Sequence, residues 1–176
     1  MNEVLKNIYT VNLGVKKDER ALVFTDLVRK DEALDPEELK KRADLRKIAL
    51  EVAEAGKGLC EVSFLEFPAV EAHGKEPPKE LWVAAFGQVA VNKLDAEGLL
   101  EKILDKTIYD VDDNRSAERL IDEFARTPDI VIALSNFSTS HTRFRSYLTR
   151  LKKVRYASMP LFERFMLEGA MTADWN

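Results

Sequence analysis

Ile130-Val131-Ile132-Ala133-Leu134-Ser135-Asn136-Phe137-Ser138-Thr139-Ser140-His141-Thr142-Arg143 begins with five apolar residues in a row and then turns polar. An unbroken apolar run of that length suits a strand covered on both faces, as in a parallel sheet. Ala117, Leu120, Ile121, Phe124 and Ala125 precede it at helical spacing, and Pro128 ends that helix. Phe144, Tyr147, Leu148 and Leu151 line a helix after it. Val154 to Ser158 then reads as a short strand, and Pro160 as the start of a last helix that Gly169 stops.

The same alternation opens the chain. Val4, Leu5, Ile8 and Tyr9 mark a helical face that Gly14 breaks. Ala21-Leu22-Val23-Phe24 is a second buried-type strand, ending on the polar pair Thr25-Asp26. Asp35, Pro36 and Glu38 form a helix start of the capping-box type. Leu45, Ile48, Ala49, Val52 and Ala53 share one face of that helix, with Gly56 expected as a left-handed stop. Cys60, Val62 and Phe64 alternate with Glu61 and Ser63, the pattern of a half-buried strand. Strands separated by helices favour a parallel sheet with right-handed crossovers. The expected fold is therefore a single α/β domain over residues 1–176, Rossmann-like and doubly wound, with its mainly parallel sheet flanked by helices.

Residues 66–112 interrupt this pattern. Pro77-Pro78 opens a short helix with Leu81, Trp82, Ala85 and Phe86 on one side, and a second helix carries Leu99, Leu100, Ile103 and Leu104 after Asp95. The stretch reads as a helical insertion packed on the edge of the sheet. Within it Glu71, His73 and Glu76 lie in a proline-bounded segment expected to be a flexible surface loop.

Composition sets the outer limits. The chain has 176 residues, 45% hydrophobic and 33% charged, an ordinary globular balance. A net charge of -4 gives no general reason to expect nucleic acid or an anionic membrane. No apolar run approaches the ~20 residues of a spanning helix, and Met1-Asn2-Glu3-Val4 does not open a signal peptide. Cys60 is the sole cysteine, so no internal disulfide forms; a cytoplasmic location fits.

Ligands of open parallel sheets bind outside the carboxyl ends of the strands. Two such ends are polar here. Asp26 closes one. Ser138, Ser140, His141, Thr142 and Arg143 follow the other, where free N–H groups at a helix start favour an anion. Capping of those N–H groups by Ser138, Thr139 or Ser140 is the competing reading. His73 and His141 are the only histidines and lie far apart in sequence, so no metal site is expected from them. Asp110-Val111-Asp112-Asp113-Asn114 imitates the start of a calcium loop, but Arg115 and Ile121 occupy positions that need glycine and glutamate. Gly56-Lys57-Gly58 follows a helix and lacks the third glycine of a dinucleotide loop. Arg143, Arg145, Arg150, Lys152, Lys153 and Arg155 make a basic window without an acid, suited to a basic helix face or to an RNA or protein partner.

Ser138-Thr139-Ser140-His141-Thr142, then Arg155-Tyr156-Ala157-Ser158-Met159-Pro160, then Met166 to Met171 with Asp174 resembles the thermophilic metalloprotease (aminopeptidase T-like, leucyl aminopeptidase-related) family. Gly14-Val15-Lys16-Lys17-Asp18-Glu19-Arg20-Ala21-Leu22-Val23 is similar to the family's first strand. Lys153 and Asp18 stand where the family often has glycine. The resemblance implies a two-domain metal-dependent aminopeptidase whose paired divalent ions, zinc, cobalt or similar, are held by a second half beyond Asn176. This chain would then be the N-terminal substrate-cleft domain, without catalytic or metal-ligating residues, in a homodimeric parent that takes its peptide substrate through the missing half. Two other functions remain open: a small-molecule module for an anionic ligand, using Asp26 and the Ser138–Arg143 segment, and an RNA or protein interaction module using residues 143–155. Nucleic acid and membrane partners are not expected.

Overall fold

In the computed structural model, which describes residues 2–168, four parallel strands form one sheet in the order β2-β1-β3-β4. They are β1 (Arg20–Leu27), β2 (Glu61–Pro68), β3 (Ile130–Ala133) and β4 (Arg155–Ser158). β1 lies between β2 and β3, pairing Ala21 with Val62 on one side and with Ile130 on the other. This explains the unbroken apolar runs of β1 and β3: both faces are covered, whereas edge strand β2 alternates and stays half-exposed.

Alternate residues of each strand serve two separate cores. Ala21, Val23, Ile130, Ile132 and Leu134 face α1 (Asn2–Asn7), α2 (Pro36–Gly56) and α8 (Arg164–Glu168). Leu22, Phe24, Val131 and Ala133 face α3 (Lys79–Phe86), α4 (Gln88–Ala96), α5 (Leu99–Leu104), α6 (Val111–Phe124) and α7 (Arg143–Ser146). A right-handed connection from β1 outward to β2 puts its helix on one face; the return across β1 to β3 puts the next helices on the other. The direction in which strands are added reverses between β1 and β3, so the carboxyl ends of these two strands form the switch-point crevice.

Several expectations change. The helices of residues 66–112 do not sit at the sheet edge. Trp82, Phe86, Leu94 and Ile103 share a core with Phe24 and Phe144, so the segment is the layer that covers one face. Trp82 stacks on Phe86 at 4.9 Å and meets Phe144 edge-on at 5.6 Å. An unexpected helix, α4, lies between the two expected ones. Asp35 does cap α2, accepting from Glu38 N at 2.8 Å. Gly56, however, is the last helical residue and is not left-handed. It is small because Tyr9 packs against it: a Cβ there would meet the ring at 2.5 Å. Tyr9 lies in a π-helical turn, Ile8–Asn12, that continues α1. A second π turn, Tyr147–Leu151, continues α7. The last helix starts at Arg164, after Pro160; Gly169 lies outside the described residues.

Candidate functional site

The switch-point crevice is built by two carboxylates that hold backbone N–H groups. Asp26, near the end of β1, is only 3% exposed. Its carboxylate accepts from Asn136 N at 2.7 Å and Phe137 N at 3.1 Å, which fixes the chain as it leaves β3. Burial pushes the Asp26 pKa up, against those two hydrogen bonds and the nearby Arg42 charge. Glu76 does the same job one step later. It accepts from Phe144 N at 3.1 Å and, more closely, from Arg143 N. Burial raises its pKa from 4.5 to about 7, although both hydrogen bonds and the charges of Lys106 and Arg143 favour the ionised form.

Between these clamps the segment 135–145 is tied to itself and to the loop before α3. Ser138 N donates to His73 Nδ1 at 3.0 Å, and Gly74 N donates to Ser138 O at 2.7 Å. The His73 ring meets Phe137 edge-on at 5.5 Å. Ser138 Oγ donates to Ser140 Oγ at 2.9 Å. Thr142 caps α7 by accepting from Arg145 N, while its hydroxyl donates to Thr139 O at 2.7 Å. Thr139 and the Tyr156 hydroxyl share a hydrogen bond of 2.7 Å.

These contacts revise the expected anion site. The first N–H groups of α7 are taken by the protein's own Glu76, so no free helix terminus awaits a ligand. The cap is Thr142, not Ser138, Thr139 or Ser140: Ser138 and Ser140 bond to each other, and Thr139 bonds to Tyr156. Asp26 is close in the fold to Ser138 but belongs to the backbone clamp. His141, Thr142 and Arg143 face a different space: an open cleft of about 430 Å³ whose other walls include Glu76, Lys106 and Tyr109. Lys106 Nζ reaches His141 O at 3.3 Å, and the Arg143 guanidinium, whose charge acts on Glu76, makes no hydrogen bond or ion pair among the described residues. This cleft therefore joins two cations to a buried carboxyl group.

No family model, curated protein or solved structure matches this chain. Among the described residues, no three His, Cys, Asp or Glu side chains converge so as to hold a metal ion. No described helix is long and apolar enough to cross a membrane.

Glu76 and His73 are the site residues that the sequence hid. The segment carrying them is not a free loop. Arg29 Nη1 donates to Ala69 O and Val70 O, and Ala69 N donates to Leu27 O, anchoring its start to β1. The available signal was Pro77-Pro78: a rigid entry into α3 directly after a carboxylate is a good way to aim it. The basic window is also largely paired within the fold. Arg150 meets Glu118, Arg155 meets Glu19, Lys152 donates to Asp122 O, and Arg145 lies 5.7 Å over the Tyr156 ring.

Proposed function

We propose that this chain is a substrate-cleft domain of a metal-dependent aminopeptidase related to the thermophilic metalloprotease family, and that it holds peptide without cleaving it. The observation that carries the proposal is the segment Ser138–Thr142. The resemblance rests on these residues, and they lie at the carboxyl end of β3, where an open parallel sheet binds ligands. His73 accepts from Ser138 N, and Asp26 and Glu76 hold the backbone on either side of the segment, at Asn136–Phe137 and Arg143–Phe144, the preorganisation a cleft wall needs. The neighbouring cleft offers Lys106 and Arg143 to a carboxylate or peptide carbonyl, and the exposed Tyr109 ring to an apolar side chain.

The test is an aminopeptidase assay on the purified chain, using leucine p-nitroanilide with zinc or cobalt added. No release above buffer is expected. Release that tracks protein concentration would overturn the proposal.

One observation favours a second function, a module for a small anionic ligand: the Arg143 guanidinium, without a hydrogen bond or ion pair among the described residues, lines one cleft with Lys106. That function requires thermal stabilisation by citrate or phosphate that Arg143→Ala abolishes. An identical shift in the variant would dispose of it.

A further inference from the structure

The cleft beside Ser138–Thr142 holds two cations with no carboxylate paired to either. The Arg143 guanidinium makes no hydrogen bond or ion pair among the described residues, and Lys106 Nζ reaches only His141 O, at 3.3 Å. By contrast, Arg150 pairs with Glu118, Lys152 with Asp122 and Arg155 with Glu19. Glu76 is the one acid among the described residues of the cleft wall, and it is not available to the cations. Its side chain is buried, and its two oxygens are turned onto Arg143 N and Phe144 N.

Lys106 reaches the cleft from a strained backbone position. α5 closes on it: Lys106 N donates to Ile103 O at 3.0 Å, and Thr107 N donates to Lys102 O at 2.8 Å. Lys106 itself is left-handed, φ 58. Glycine takes that place at a helix end without strain, so a lysine there points to a use for its ammonium group. The cleft has room for a ligand. At about 430 Å³ it falls within the ~300–1,000 Å³ of small-molecule sites, and it is open to solvent.

Charge and shape select what fits. A peptide carbonyl would accept hydrogen bonds here but leave two positive charges unbalanced. A carboxylate balances charge and matches the guanidinium fork. A dianion is less well suited. Burial raises the Glu76 carboxyl only to about 7, so it keeps part of its negative charge at neutral pH. Asp105, exposed next to Lys106 in sequence, acts in the same direction. Asp110 spends its carboxylate on Asp112 N and Asp113 N, and His141 adds no negative charge. Beside the cations the Tyr109 ring is 83% exposed, a surface for an apolar side chain. Only the last residue of a peptide carries a carboxylate and an apolar side chain on the same carbon.

We propose that Lys106 and Arg143 bind the C-terminal carboxylate of a peptide whose last side chain packs on Tyr109. This inference rests on the peptide-cleft reading above and adds which end of the peptide the cleft takes. Calorimetric titration of the full 176-residue chain at pH 7 compares Leu-Gly-Phe with Leu-Gly-Phe-amide, which lacks only the terminal charge. The acid should bind about tenfold more tightly, and the difference should shrink as sodium chloride is raised. Lys106→Gly relieves the left-handed backbone, so its melting temperature should not fall. It should nevertheless weaken the acid about fivefold and leave the amide unchanged. Arg143→Gln should likewise weaken only the acid. Equal affinity for acid and amide, displacement of the acid by an equal concentration of inorganic phosphate, or variants that weaken both peptides alike would overturn this inference and leave the peptide reading standing. If neither peptide binds, both fall.

Discussion

Glu76 should make the domain's stability fall between mildly acidic and neutral pH, and Glu76→Gln should remove that slope. The side chain is 6% exposed, and its carboxyl pKa is raised from 4.5 to about 7. Burial is the main cause, outweighing two backbone hydrogen bonds and the charges of Lys106 and Arg143. Because the folded pKa is above the unfolded one, the native state binds the proton more tightly. Stability is then lost as pH rises through that interval and levels off above the folded value. At about 1.4 kcal/mol per pH unit, a rise from 4.5 to about 7 amounts to about 3 kcal/mol. Glutamine keeps the shape and one acceptor oxygen but does not titrate. The assay is urea unfolding of both proteins between pH 4.5 and 8. Asp26 is raised in the same direction, but it contributes equally to both proteins and cancels in the difference. With a slope of ~2 kcal/mol per molar urea, the wild-type midpoint should drop by about 1.5 M relative to the variant. Parallel curves would show that Glu76 is not held in a desolvated clamp and would refute the reasoning.

Three further outcomes are expected. Asp26→Asn leaves one of the Asn136 and Phe137 N–H groups without an acceptor, at a cost of about 1–3 kcal/mol; hydrogen exchange at those two amides should accelerate, and unchanged protection would count against the clamp. Gly56→Ala gains ~1 kcal/mol of helix propensity but drives a methyl into the Tyr9 ring, so a lower melting temperature is expected; an equal or higher one contradicts the packing. Cys60 is buried, and its thiol pKa is raised by burial, so a thiol reagent at pH 8 should modify it only after unfolding; rapid modification of the native chain would contradict its placement.

What the sequence disclosed follows from periodicity. β1 and β3 are legible because both of their faces are buried, and α2 because Asp35-Pro36 and its apolar stripe agree. The switch-point location of Asp26 and of residues 138–143 followed from strand ends alone. Local pattern says nothing about partners distant in sequence. Glu76 and Arg143 are 67 positions apart, and Asp26 and Asn136 are 110 apart. A carboxylate that fills a helix start looks, in sequence, the same as one in solvent, so the helix start read as open to an anion. Gly56 read as a stop because its true constraint, the Tyr9 ring, comes from another helix.

The wall of a peptide cleft should respond to a peptide. Amide chemical shifts recorded while the tripeptide Leu-Gly-Gly is titrated into the labelled chain test this most directly. Saturable shifts should concentrate in residues 136–146 and around Lys106 and Tyr109, with the tripeptide recovered intact. No shift in those segments, or cleavage of the tripeptide by the chain alone, would contradict the account.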